Sequence, residues 1–70
     1  MNIPASASSR PMSKRSIIER RADFLTRASK ALTMAEEHHD PQIRYAWLTI
    51  AESYRDLARF CDLELKELRA

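Results

Sequence analysis

Glycine is absent from this 70-residue chain, and cysteine occurs once. Without glycine the chain has no Gly-rich phosphate-binding loop, and an architecture of strands and tight turns is disfavoured. A single cysteine, Cys61, excludes a disulfide within the chain. An unpaired thiol is typical of proteins from reducing compartments, so the composition predicts a cytoplasmic protein.

Long apolar runs are also missing. No stretch approaches the roughly 20 apolar residues that a membrane-spanning helix needs. The first sixteen residues lack the apolar core of a secretory signal and are rich in Ser, Ala and Pro. We therefore expect no membrane segment, and we expect residues 1–12 to form a disordered N-terminal arm.

The stretch around Asp40 and Pro41 predicts where a long helix begins. Aspartate suits the N-cap position, and proline suits the first helical position, where its missing N–H would have no partner. Apolar residues then recur at spacings of three and four, which is typical of one helix face. They are Ile43, Trp47, Ile50, Tyr54, Leu57, Cys61, Leu65 and Leu68. The pattern predicts a helix over about residues 41–68.

An earlier helix is predicted over about residues 14–38, with a cap at either Ser13 or Ser16. Its apolar positions are Ile17, Ile18, Phe24, Leu25, Ala28, Ala31, Leu32 and Ala35. Arg21 falls within this apolar arc, where its stem can cover apolar surface while its head reaches an acid. The connection from His39 to Pro41 is very short, and short connections place consecutive helices antiparallel.

The predicted fold class is therefore all-α, an antiparallel two-helix hairpin that dimerises into a four-helix bundle. Two helices bury little surface at this size, so small domains often depend on oligomerisation. The apolar arc of the second helix is wider than one partner helix requires. The predicted oligomer interface comprises Ile43, Trp47, Ile50, Tyr54, Leu57, Phe60 and Leu63. The pattern fits a homodimer or a partnership with another helical protein.

Candidate catalytic and metal-binding residues are few. His38 and His39, beside Glu36 and Glu37, form the one plausible metal cluster, but charged helix ends are common and we expect no metal site there. Cys61 lies far from both histidines in the predicted hairpin, so we expect a small buried hydrophobe and not a nucleophile. We predict no enzyme activity and no cofactor, and an enzyme or metal protein that uses His38 and His39 is the function class that the sequence favours least.

Charge is distributed unevenly along the chain. Seven bases and two acids precede Ala31, a balance of +5, whereas five bases and eight acids follow, a balance of −3. Arg20, Arg27 and Lys30 share a face of the first helix, and basic side chains supply a nonspecific attraction to phosphates. The leading prediction is a non-enzymatic protein-interaction or regulatory hairpin. The alternative is a nucleic-acid-binding hairpin that uses this basic face.

The second helix also carries a recurring packing pattern, D-P followed by R-x-x-W-L-x-(L/I)-A-E-x-(W/Y)-x-x-L-A. Its residues here are Asp40, Pro41, Arg44, Trp47, Leu48, Ile50, Ala51, Glu52, Tyr54, Leu57 and Ala58. With this pattern the chain, over about residues 22–63, resembles a group of small, uncharacterised bacterial proteins. The resemblance implies a helical hairpin without an established activity. The architecture is also similar to Rop-type hairpins, which dimerise into four-helix bundles, but such an analogy transfers no function.

Overall fold

A computed structural model describes residues 13–69 of the chain. These residues form two α-helices, α1 (Lys14–Glu37) and α2 (Pro41–Arg69), and contain no β-strand. The helices pack against each other, so the all-helical prediction is confirmed. Helix α1 ends one residue before the predicted position 38, and α2 extends one residue past the predicted 68. The predicted disordered arm, residues 1–12, lies outside the described residues.

Helix α1 is capped by Ser13, one of the two cap residues that the sequence predicts. The Ser13 backbone is extended, and its hydroxyl oxygen accepts a hydrogen bond from the Ser16 amide at 3.1 Å. The Ser13 carbonyl accepts from the Ile17 amide at 3.1 Å. The first bond satisfies an amide of the first turn that has no backbone partner inside the helix, and the second is the first i→i−4 bond of α1.

Helix α2 begins as the Asp40–Pro41 pair predicts. The Asp40 carboxylate accepts a hydrogen bond from the Gln42 amide at 2.8 Å, and the Asp40 carbonyl accepts from the Arg44 amide at 2.9 Å. Three residues, His38 to Asp40, connect the helices. His38 has an extended backbone and ends α1. The reversal of chain direction therefore takes place within one short segment.

Replacing Asp40 with alanine is expected to lower the free energy of unfolding by about 1 kcal/mol, because the side-chain bond to the Gln42 amide is lost. Chemical denaturation followed by circular dichroism measures this loss. Gln42→Ala is the matched control, since it leaves the Asp40 carboxylate in place. Equal stability of the two variants would show that Asp40 does not act as a cap.

Contacts between the helices establish that they are antiparallel. Near the start of α1, Arg21 Nε donates to Asp62 Oδ1 at 2.6 Å. Closer to the connection, the rings of Phe24 and Tyr54 stack with their centroids 6.3 Å apart. Early residues of α1 thus contact late residues of α2. The Arg21 contact also confirms that this side chain reaches an acid from within the apolar arc.

The contact between the helices consists mainly of small side chains. Its buried residues are Ile17, Ala28, Ala31, Ala35, Ala51, Ala58 and Cys61. Five of the seven are alanines, which let the helix backbones approach closely but remove little apolar area from water. No large side chain is completely buried in the described part of the hairpin. Cys61 is buried among these residues, as the sequence predicts.

Neither helix could cross a membrane, because within residues 13–69 none is both long and apolar enough to do so.

Candidate interaction surface

The large apolar side chains of α2 lie mostly outside the helix–helix contact. Ile43, Ile50 and Leu57 are spaced seven residues apart and are 41%, 40% and 41% exposed, and Phe60 is 64% exposed. Seven residues are close to two helical turns, so these side chains line up along one side of the helix. We call Ile43, Ile50, Leu57 and Phe60 the α2 row. Such a row is the sequence signature of a second helix–helix contact.

Helix α1 carries a second row, the α1 row, made of Ile18, Leu25 and Leu32. Ile18 is 48% exposed, Leu25 is 37% exposed, and Leu32 is half-buried. This row also repeats every seven residues. It is less exposed than the α2 row, so its burial would release less apolar surface from water.

The two rows lie on opposite faces of the hairpin. Leu57 and Phe60 line a groove of about 150 Å³ together with Arg20 of α1. Ile18 instead lines a separate groove with Asp62 and Leu65. Because successive residues turn by about 100°, Ile18 and Arg20 are about 160° apart around the α1 axis. One partner docked on one face therefore covers only one row.

The residues of the predicted interface differ in how far the hairpin itself covers them. Trp47 and Tyr54 are half-buried within the hairpin, and Tyr54 stacks on Phe24. Leu63 is 57% exposed but lies outside the α2 row, since six residues separate it from Leu57 and place it about 120° away around the helix. The four remaining residues are those of the α2 row. The sequence pattern alone did not distinguish the residues of α2 that contact α1 from those of the α2 row, because the two sets lie on adjacent sides of the helix.

The basic residues of α1 border the α2 row instead of forming an isolated cationic face. Arg20 lies 4.0 Å from Glu64, and Arg27 Nε lies 3.1 Å from Asp23. Arg27 and Lys30 line a groove of about 370 Å³ that also includes Trp47. Two of the three predicted phosphate-binding residues are therefore paired with carboxylates of the same chain.

The pKa of the Arg27 guanidinium is raised above its ordinary value. The main cause is a hydrogen bond with the Tyr54 side chain, and the negative charge of Asp23 adds to it. Arginine is already fully protonated at neutral pH, so the shift does not alter its charge there. Arg27, Tyr54 and Trp47 line the same groove.

The histidines lie at the connection between the helices. His38 is half-buried and His39 is exposed. No group of three or more His, Cys, Asp or Glu side chains within residues 13–69 has an arrangement that could hold a metal ion. Cys61 is buried level with Arg20 and Phe24, far along the hairpin from both histidines.

Zinc titration tests the residual metal hypothesis. We expect Zn²⁺ to leave the melting temperature of the wild-type chain unchanged, because two adjacent histidines at a helix end supply too few ligands for a structural site. The His38→Ala, His39→Ala double variant is the control. Stoichiometric zinc that survives dialysis and is lost in the double variant would contradict this expectation.

No protein-family model matches the chain, and no curated protein or solved structure matches it at a significant level. The resemblance to the small bacterial hairpins thus stays a prediction.

Charge at the two ends of α1 is a further feature of the surface. Lys14 and Arg15 begin the helix, and Glu36 and Glu37 end it. These charges have the opposite sign to those that the helix dipole favours at each end. The sequence contains these charges, but whether they oppose the helix dipole depends on where α1 begins and ends.

Proposed function

We propose that this chain is a non-enzymatic interaction module that acts as an oligomer, and that the α2 row is its main contact surface. The supporting observation is that small apolar residues and large apolar residues of the chain lie on different surfaces. Alanines fill the contact within the hairpin, whereas Ile43, Ile50, Leu57 and Phe60 remain substantially exposed. Exposed apolar surface of this kind marks sites of protein association.

The spacing within α2 suits contact with two neighbouring helices, as a helix has in a four-helix bundle. In such bundles each helix contacts two neighbours, so its apolar arc spans two adjacent seams. One seam of α2 contains Ala51, Ala58 and Cys61 and contacts α1. The other is the α2 row. The proposed assembly is a dimer of hairpins, four helices in all, in which the α2 rows of two copies face each other and the apolar row of each α1 contacts no other helix.

Exposed alanine and serine residues within the second seam favour close packing there. Ala46 and Ser53 lie between the larger members of the row and are both exposed. A large side chain from a facing helix packs well over such small residues. The row therefore offers both projecting side chains and spaces that can receive them, and a second copy provides the matching features.

Thermal melting over about a hundredfold range of protein concentration tests this proposal. Association of folded chains makes the melting temperature rise with concentration by mass action. We expect such a rise for the wild-type chain, observed by circular dichroism. A melting temperature that is independent of concentration would contradict the proposed oligomer.

The nucleic-acid alternative receives less support from the geometry. Arg20 and Arg27 already contact Glu64 and Asp23, so phosphate binding would compete with these ion pairs. Fluorescence anisotropy with labelled RNA and DNA tests the alternative. Binding that weakens steeply with salt and is lost in an Arg20→Gln, Arg27→Gln, Lys30→Gln variant would favour it. We expect no binding at physiological salt.

A further inference from the structure

The α1 row is left uncovered when two hairpins associate through their α2 rows, because the rows lie on opposite faces. Its residues Ile18, Leu25 and Leu32 are symmetric in spacing about Leu25. When two copies of α1 lie antiparallel with their Leu25 side chains together, Ile18 of each copy lies opposite Leu32 of the other. The row is thus complementary to itself, as a two-fold symmetric contact requires.

Small residues occupy the intervening positions of this row. Ala22 and Ser29 are both exposed and lie one turn on either side of Leu25. In the antiparallel arrangement they face each other across the contact. Their size allows the two helix backbones to approach while the leucine and isoleucine side chains interlock.

Charge at the ends of α1 selects the antiparallel orientation. Four residues beyond each end of the row lie Lys14 and Glu36, on the same side of the helix as Ile18 and Leu32. Neither residue takes part in the ion pairs within residues 13–69. An antiparallel copy brings its Lys14 to Glu36 and its Glu36 to Lys14. A parallel copy would instead bring like charges together at both ends.

The same arrangement is compatible with the charges that the dipole of α1 itself disfavours. Glu36 lies at the negative end of the dipole and Lys14 at the positive end. The antiparallel helix α2 already places the opposite end of its dipole near each of them, and a second antiparallel copy of α1 would add a further dipole of the same direction.

We infer that the α1 row is a second self-association surface, on which another copy of this chain docks in antiparallel orientation with Glu36 of each copy beside Lys14 of the other. This inference extends the proposed oligomer, since it adds a contact independent of the α2 row. The α1 row is the less exposed of the two, so this contact is the weaker one. It joins hairpins that the α2 row has already paired, and it produces species larger than dimers at high concentration.

Cross-linking in a Phe60→Glu background isolates this contact, because that substitution disrupts the α2 row. Two single-cysteine variants, Ile18→Cys and Leu32→Cys, are made with Cys61→Ala and mixed at high concentration under mild oxidation. We expect a disulfide between the two different variants. Circular dichroism first establishes that each variant is helical.

Each outcome of the cross-linking experiment distinguishes the two proposals. A disulfide between two Ile18→Cys chains in preference to the mixed pair indicates a parallel contact and overturns the inference. No cross-link, with a wild-type chain that still dimerises, also overturns the inference but leaves the α2-row dimer intact. A wild-type chain that is monomeric at every concentration overturns both.

A charge exchange provides the second test. In the Phe60→Glu background, Lys14→Glu alone and Glu36→Lys alone should each raise the dissociation constant about tenfold, because like charges then face each other at both ends. The double exchange should restore the original value. Both substitutions suit the helix dipole, so a loss of helix cannot explain weaker association. Failure of the double exchange to restore association contradicts the proposed pairing.

Discussion

Replacing Phe60 with glutamate is expected to raise the dissociation constant of the α2-row dimer by at least about 30-fold. A large aromatic side chain that becomes buried typically contributes a large part of the binding energy of an interface. Phe60 is 64% exposed in the hairpin, so the isolated hairpin depends on it very little. The substitution also places two carboxylates in the symmetric contact. Sedimentation at micromolar concentration measures the shift, and helicity by circular dichroism confirms that the variant folds.

Tyr45→Glu is the matched control for this substitution. Tyr45 is also an exposed aromatic residue of α2, at 73% exposure, but it lies outside the α2 row. We expect it to leave the dissociation constant nearly unchanged. Equal effects of the two substitutions would indicate a general consequence of added charge and would contradict the assignment of the row.

Replacing Ala58 with leucine is expected to destabilise the hairpin by about 1–3 kcal/mol, since extra volume in a well-packed contact forces the helices apart. Ala58 is 3% exposed and faces α1. Denaturant unfolding at a fixed protein concentration measures the loss. The loss of stability is expected because the alanine-rich contact has no space for the three carbon atoms that leucine adds.

Thr33→Leu is the control for overpacking, because Thr33 is exposed on α1 and leucine favours helix formation. This variant should be at least as stable as the wild type. Should Ala58→Leu prove equally well tolerated, the close helix contact would be wrong, and the large apolar residues would have to lie inside the hairpin.

Local signals in the sequence predicted the helices well because their causes are local. Asp40 and Pro41 mark the start of α2 through their own hydrogen-bonding properties, and the structure places Asp40 at that cap. Arg21 was expected to reach an acid because it lies within an apolar arc, and it contacts Asp62. Such features depend on the periodicity of a helix and on residues a few positions apart.

The division of α2 into two seams was not predictable in the same way. Trp47 and Tyr54 follow the same three-and-four spacing as Ile50 and Leu57, so periodicity gave no basis for separating them. The separation depends on which side of α2 contacts α1, and the alanines determine that side. Small residues occupy the closest contact between the helices, and the large apolar residues lie at the edges of that contact. This arrangement depends on tertiary packing and cannot be read from hydrophobicity alone.

The basic face of α1 shows a related limit of the sequence pattern. Arg20, Arg27 and Lys30 were expected to share a basic face of α1. Arg20 instead approaches Glu64 of α2, and Arg27 lies beside Tyr54. Long side chains on the flank of a helix can reach the neighbouring helix, so their partners depend on the register between helices.

Sedimentation equilibrium of the wild-type chain tests the central claim most directly. The claim is that the apolar rows of this hairpin are covered by further copies of it. At about 10 µM we therefore expect a mass of at least twice the 8.1 kDa of one chain, with larger species at higher concentration. A mass of 8.1 kDa throughout the concentration range would contradict the account.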